Sequence, residues 1–145
     1  MLLLLILATL ATGLFAGAAV YINLVEHPAR VSCGTDTAVR EFVPSYQRAS
    51  VMQASLAIVG VTCGLIAGWR QQDGMLIVAA LLIGAVVPFT LVIIAPTNKQ
   101  LLSPALDRQG PLAAALLRRW AALHAVRSVL SAIAFAMFVV RLASD

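Results

Sequence analysis

Charged residues are scarce in this sequence. Only 11% of the 145 residues are Asp, Glu, Lys or Arg, and 61% are apolar, whereas about 25% of an average soluble domain is charged. Such a chain lacks the polar surface of a soluble globule and the charge of a disordered chain. The formal net charge is +4, but basic residues scattered among long apolar runs form no patch for a nucleic acid. We therefore expect an integral membrane protein whose partner is the lipid bilayer and not a nucleic acid.

Cysteine is almost absent as well. Cys33 lies in a polar segment and Cys63 in an apolar run, which excludes a disulfide framework and a paired CxxC metal site. The sequence also contains no HExxH motif, nucleophile elbow, phosphate-binding loop or dinucleotide fingerprint. These absences argue against hydrolases, kinases and dinucleotide-dependent enzymes.

Long apolar runs dominate what is present. A helix of about 20 residues is long enough to cross a ~30 Å hydrocarbon layer. Four such runs predict an all-α, single-domain integral membrane four-helix bundle with both termini on the same side and spans at about 2–25, 47–69, 75–96 and 114–141. Cleavage of the first run as a signal peptide stays open as an alternative, although no basic segment precedes it.

Small residues and proline mark two of these runs. Gly60, Gly64 and Gly68 recur at four-residue spacing in the second run, which predicts close approach of another helix, either in the same chain or in a homo-oligomer. Pro88 removes a backbone donor and predicts a kink in the third run.

Basic residues concentrate at one end of the predicted bundle. That end carries the longer connections, residues 23–50 and 96–119, and we call it the loop face. Its basic residues are Arg30, Arg40, Arg48, Lys99, Arg108, Arg118 and Arg119, with Arg127 just inside, against Arg70 and Arg141 at the opposite end. The positive-inside rule predicts cytoplasmic connections and both termini outside. We expect the protein in the inner membrane of the cell.

Polar residues of all four spans converge at the loop face. Counted back from Val140 at ~1.5 Å per residue, His124 lies roughly 6 Å and Arg127 roughly 10 Å inside the hydrocarbon. A charge at that depth is costly and usually faces a partner inside the bundle, so we expect Glu26 to be the counter-ion of Arg127. The catalytic candidates are Glu26, His27, Asn98, His124 and Arg127, and the candidates for substrate contact are Tyr21, Asn23, Tyr46, Gln53, Phe89, Thr97 and Trp120.

These residues are compatible with three kinds of function. His27 and His124 could ligate a haem or a metal ion between facing helices. Alternatively, a histidine could act as a general base while Arg127 and Asn98 stabilise an oxyanion. In the third hypothesis the polar cluster only ties the helices together, as in a structural or accessory membrane protein. The residues leave the cofactor undetermined: none, a haem or a metal ion.

Several stretches resemble the small integral-membrane family that includes fungal anthrone oxygenases. The resemblance rests on YINLVEHPAR at 21–30, on PSYQRA at 44–49 with Met52 and Gln53, on PFT at 88–90 and PTN at 96–98, and on Trp120 with His124 and Arg127.

The resemblance implies a four-helix membrane protein and, as in some fungal members, oxidation of anthrones to anthraquinones by dioxygen. Glu26, His27, Asn98, His124 and Arg127 fall on polar motif positions of the family. We therefore expect a membrane-embedded oxidoreductase acting on a small hydrophobic or phenolic substrate near the cytoplasmic face. His27 or His124 would be the base, and Asn98 with Arg127 would hold the enolate oxygen.

Overall fold

A computed structural model describes residues 1–144, and that part of the chain is almost entirely helical. The helices are α1 Leu2–Tyr21, α2 His27–Ser32, α3 Thr35–Gln71, α4 Gly74–Phe89, α5 Ala95–Leu101 and α6 Pro111–Ala143. A π-helical turn, Ile22–Glu26, joins α1 to α2, and a second, Thr90–Ile94, joins α4 to α5.

These elements form four membrane spans among the described residues. Spans 1 to 4 are Leu2–Ser32, Thr35–Gln71, Gly74–Leu101 and Pro111–Ala143, and each is long and apolar enough to cross a bilayer. Span 1 packs against spans 2 and 4, and span 3 packs against the same two spans. The predicted all-α membrane bundle is confirmed.

The helices extend well beyond the predicted spans. Span 2 has 37 residues, which corresponds to roughly 55 Å of helix and exceeds the ~30 Å hydrocarbon layer. Residues 35–50, expected in a long connection, are helical because Ala38, Val39 and Phe42 are buried in a core that includes Trp120. Only Cys33 and Gly34 separate α2 from α3, so the expected long connection at 23–50 is wrong.

The core is layered along the bundle. Leu5, Ala67, Leu76 and Phe138 pack together at the end opposite the loop face. A middle layer contains Phe15, Ala57, Ile83 and Ala134, and a third layer at the loop face contains Phe42, Ile94 and Trp120. Large apolar side chains such as Leu10, Leu14, Val51 and Leu91 remain exposed on the outside, where lipid would cover them.

The glycine stripe of span 2 is a packing surface within the chain. A Cβ at Gly60 would lie 2.8 Å from Thr12 Oγ1, and one at Gly64 would lie 2.7 Å from Phe138 Cζ and 2.9 Å from Ala80 Cβ. The stripe therefore lets span 2 approach its neighbours closely, as predicted. A homo-oligomer would have to use another surface.

The turn between spans 2 and 3 is tied to the end of span 4. Asp73 caps α4 by accepting hydrogen bonds from the backbone N–H groups of Met75 at 2.9 Å and Leu76 at 3.2 Å, and it pairs with Arg141. The hydrogen bond from Arg141 holds the pKa of Asp73 below its usual value. A capped and paired carboxylate fixes this end of the bundle.

Replacing Gly64 with alanine tests the close packing. We expect Gly64→Ala to lower the free energy of unfolding by about 1–3 kcal/mol, because the new methyl group overpacks the core. Gly17 is the matched control, since nothing lies within 4 Å of a Cβ there. Gly17→Ala should be neutral or stabilising by up to about 1 kcal/mol through helix propensity. Unfolding of the detergent-purified protein measures both, and equal stabilities would contradict the packing.

Candidate functional site

A cavity of about 170 Å³ lies inside the bundle toward the loop face. Apolar side chains such as Phe15, Ile22 and Val86 form much of its wall, and its polar lining includes Arg30, Ser45, Tyr46, Gln53, His124 and Arg127. An engineered cavity of about 150 Å³ is large enough to bind benzene. This cavity can therefore enclose at least one aromatic ring of a ligand.

Both π-helical turns border the cavity. Ile22 begins the first turn, Thr90 and Leu91 begin the second, and all three residues line the cavity. Each turn ends two residues before a proline, Pro28 or Pro96, which lacks the N–H group of a regular helix. Such turns are rare inside α-helices, and those that occur are often found at functional sites.

Asn23, in the first π-helical turn, orients His124. Asn23 Nδ2 donates to the backbone carbonyl of Ala121 at 3.0 Å, which identifies its Oδ1 as the acceptor for span 4. Ser128 Oγ donates to this oxygen at 2.6 Å, and His124 Nδ1 lies 2.6 Å from it. Because the oxygen can only accept, the neutral imidazole carries its proton on Nδ1. Nε2 of His124 then keeps a lone pair that can accept a proton.

Arg127 is a cation in the cavity, and no carboxylate of residues 1–144 pairs with it. Its Nη2 donates to Gln53 Oε1 at 2.6 Å, and its guanidinium carbon lies 5.4 Å from the centre of the Phe15 ring. Among residues 1–144 it forms no salt bridge, and its Nε is buried without a hydrogen-bond partner. Such a group favours a ligand with an anionic or partly negative oxygen.

The expected Glu26–Arg127 pair is wrong, because Glu26 pairs with Arg30. Arg30 Nε also lies 2.7 Å from Glu41 Oε2, and Ser45 Oγ donates to Glu26 Oε1 at 2.6 Å. The side chain of Arg30 is only 4% exposed, so this arginine belongs to an ion-pair network as well as to the basic residues of the loop face. The four-residue spacing of Glu26 and Arg30 on a helix was a signal for this pair.

Asn98 connects Trp120 to Tyr46. Trp120 Nε1 donates to Asn98 Oδ1 at 2.8 Å, and Asn98 Nδ2 donates to the Tyr46 hydroxyl oxygen at 3.2 Å. Asn98 therefore uses its amide on two side chains of the cavity wall and does not itself line the cavity. The Tyr46 hydroxyl accepts from Asn98, so its own hydrogen remains available for another acceptor.

Both histidines contact the same indole. His124 stacks on Trp120 with 4.6 Å between ring centres and 26° between planes, and His27 lies 5.3 Å from Trp120 at 32°. His27 is buried, its Nδ1 has no hydrogen-bond partner, and it is not part of the cavity lining.

The histidines fit a metal centre poorly. Zinc sites take three or four protein ligands, and the described residues contain no group of three or more His, Cys, Asp or Glu side chains that could hold a metal ion. A haem ligated by both histidines would need room between the two imidazole rings, and the Trp120 indole packs against both of them.

The predicted site residues separate into three groups. Five of them line the cavity: Tyr46, Gln53, Trp120, His124 and Arg127. Four contact lining side chains from behind: Asn23, Glu26, His27 and Asn98. Three belong to neither group: Tyr21 is 55% exposed, Thr97 is fully buried away from the cavity, and Phe89 packs against the loop-face core.

Some residues of the site were missing from the sequence analysis. Phe15 and Ser45 line the cavity, and Ser128 hydrogen-bonds Asn23. Ser128 lies four residues after His124 and hence on the same helical face, which was a usable signal. Phe15 lies in a uniformly apolar run, where nothing distinguishes it from its neighbours.

Four spans around an amphipathic cavity define a polytopic integral membrane protein with an internal cavity. A family model described as anthrone oxygenase matches residues 42–137, about two thirds of the chain. The chain belongs to this anthrone oxygenase family, as the sequence resemblance indicated. The match includes Asn98, His124 and Arg127 and leaves out Glu26 and His27. No curated protein and no solved structure matches the chain.

The tautomer of His124 is open to a direct test. In protein labelled with [15N]histidine, NMR at about pH 8, above the ordinary titration range of imidazole, should show one of the two rings protonated on Nδ1. Asn23→Ala removes the acceptor, so that ring should shift toward the Nε2-protonated form. Ser128→Ala leaves Asn23 in place and should preserve the Nδ1 proton. A spectrum unchanged by Asn23→Ala would contradict the assignment.

Proposed function

We propose that this protein is a membrane-embedded oxygenase that oxidises a small hydrophobic phenol or anthrone-like enol with dioxygen. The observation that carries the proposal is the cavity lined by both His124 and Arg127. His124 is oriented through Nδ1, and Arg127 has no carboxylate partner among the described residues. Membership of the anthrone oxygenase family supports the same chemistry.

His124 is the proposed general base. The methylene group of an anthrone lies between two aromatic rings and is conjugated to a carbonyl, so its proton is acidic. Nε2 of His124 takes this proton, and the negative charge spreads to the substrate oxygen. Arg127 holds that oxygen, and its charge stabilises the enolate inside an apolar cavity where water does not screen it.

Dioxygen completes the oxidation. The carbanion carbon bonds to one oxygen atom, and the resulting peroxide anion takes a proton from the His124 imidazolium or from Tyr46. Loss of the second methylene proton then forms the carbonyl as the O–O bond breaks, and the outer oxygen leaves as water. One dioxygen is consumed, the carbon loses two hydrogens, and no further reductant is required.

The remaining polar residues act as positioning residues in this scheme. Asn23 fixes His124, and Asn98 fixes Tyr46 and Trp120. We therefore propose that Asn98 acts through Tyr46 instead of touching the enolate itself. His27 supports Trp120 from behind and is the less suitable base, because it does not line the cavity.

Substitutions at His124 and Arg127 test the function. With anthrone as substrate, oxygen uptake and quinone absorbance should show kcat/KM lowered by about 10²–10⁴ in His124→Gln through loss of the base. Arg127→Met should lose about 10²–10³ through loss of oxyanion stabilisation. Arg40→Gln is the control, since Arg40 is exposed and pairs only with Asp36 in the structure; it should match the parent protein.

Other outcomes would favour the alternatives. If folded His124→Gln and Arg127→Met oxidise anthrone at the parental rate, the cavity is not the active site. Stoichiometric iron or copper that disappears in a folded His27→Ala/His124→Ala double variant would favour a metal or haem centre. If the parent oxidises no such compound and the variants change only stability, the cluster has a structural role.

We also propose that the protein resides in the inner membrane with the loop face in the cytoplasm. The basic residues of the loop face outnumber those of the opposite end, and such residues are retained on the cytoplasmic side. Among them, Arg40 and Arg48 are exposed on the extended part of span 2. Charge bias is the support for this orientation.

The native cysteine at the loop face reports the orientation. Cys33 is exposed between α2 and α3. The substitution Cys63→Ser leaves Cys33 as the single cysteine to be labelled. In intact spheroplasts a membrane-impermeant maleimide should leave Cys33 unlabelled until the membrane is permeabilised. Ser144→Cys in a Cys33→Ser background places the thiol at the exposed opposite end and should react at once. The reverse pattern would overturn the orientation.

A further inference from the structure

The cavity opens sideways between spans 2 and 3. Of its lining residues, Ala54 on span 2 and Leu91 on span 3 are exposed, and Leu91 is 69% exposed. Ser50 and Thr90 are half-buried on the same two spans. Helix α3 packs along α4 but has little contact with the π-helical turn Thr90–Ile94. We name the opening bounded by Ser50, Ala54, Thr90 and Leu91 the portal.

The portal lies at the depth of lipid hydrocarbon. Ala54 is roughly 24 Å of helix from Arg70, and Leu91 is roughly 25 Å from Gly74 at the start of span 3. If the ~30 Å hydrocarbon layer begins at Arg70 and Gly74, both residues lie about 5 Å inside its loop-face boundary. Neighbouring apolar side chains are exposed on both spans: Val51 by 69%, Ile58 by 60% and Val92 by 68%. Lipid chains would therefore border the portal.

The two candidate catalytic residues of the cavity come from the span opposite span 2. His124 and Arg127 come from span 4, which packs against spans 1 and 3 and lies diagonally across the bundle from span 2. Arg127 reaches across the cavity to Gln53 of span 2, the residue before Ala54, and apolar lining such as Phe15 and Val86 surrounds the polar pair. This arrangement suits a molecule with an apolar body and one acidic head.

Side chains separate the cavity from a groove at the loop face. A groove at the loop face is lined by Tyr46, Asn98 and Lys99, and Tyr46 is the residue that it shares with the cavity. The Tyr46 ring stacks on Phe42, and its hydroxyl is hydrogen-bonded by Asn98, which also binds Trp120. Moving the Tyr46 ring out of this wall would break its hydrogen bond with Asn98 and its stacking on Phe42.

We propose that the substrate reaches the cavity laterally from the bilayer through the portal and is a membrane-dissolved amphiphile with an acidic phenol or enol head. The head binds Arg127 and His124, while the apolar body lies against the wall formed by Phe15, Ile22 and Val86. This inference rests on the proposed function, because it takes the cavity as the substrate site.

Binding kinetics of an octyl-substituted nitrophenol in nanodiscs test the portal. Trp69→Phe leaves Trp120, in the cavity wall, as the fluorophore that the nitrophenol quenches. In stopped-flow measurements Ala54→Phe should lower the association and dissociation rate constants together by about tenfold or more, with Kd within about threefold, because the portal and not the site has changed. Leu91→Ala should raise both rate constants. Ala85→Phe, at an exposed alanine outside the cavity lining, should match the parent.

The portal and the proposed function fail in different ways. Parental rate constants in Ala54→Phe, or a higher dissociation rate constant alone, would overturn the portal, and the site would stand if Arg127→Met raises Kd about tenfold. Parental affinity in Arg127→Met, or no quenching in the parent, would overturn the cavity as substrate site and the proposed function with it.

Discussion

The Asn23 side chain ties span 1 to span 4, and the geometry of the candidate site depends on it. One amide donates to the Ala121 carbonyl and accepts from Ser128 and His124. Polar groups inside an apolar bundle have no water to replace a lost partner, so breaking one of these bonds leaves a buried polar group unsatisfied. The same constraint that joins two spans therefore determines which imidazole nitrogen is free.

Charge is distributed unequally between the two ends of the cavity. Arg30, with Glu26 and Glu41 beside it, is neutralised where the bundle extends toward the head groups. Arg127, deeper in the bundle, has an amide and an aromatic ring as partners instead of a carboxylate. A fully paired arginine stabilises helix packing, whereas an incompletely paired one remains available to a ligand. The depth of the two residues accounts for the difference in their proposed roles.

The spans, the glycine stripe and the convergence of polar residues could be predicted because they follow from periodicity and hydropathy. Depth along each helix predicted that His124 and Arg127 lie inside the loop face, and in the structure both residues line the cavity. Lateral position could not be predicted in the same way: Tyr21 and Asn23 lie two residues apart, yet one is exposed and the other binds His124. Hydropathy carries no information on which of several arginines pairs with Glu26. The sequence analysis therefore chose Arg127, whereas Glu26 pairs with Arg30, one helical turn away.

The two π-helical turns have a consequence for how the bundle tolerates insertions and deletions. A π-helical turn contains one residue more than the α-helical turn it replaces, and one residue corresponds to about 100° of rotation in an α-helix. Deleting a single residue from Ile22–Glu26 or Thr90–Ile94 would restore a regular helix and turn the segment beyond it through that angle. Each turn thus sets the rotation of the short helix beyond it, α2 or α5, relative to the membrane-buried segment of the same span.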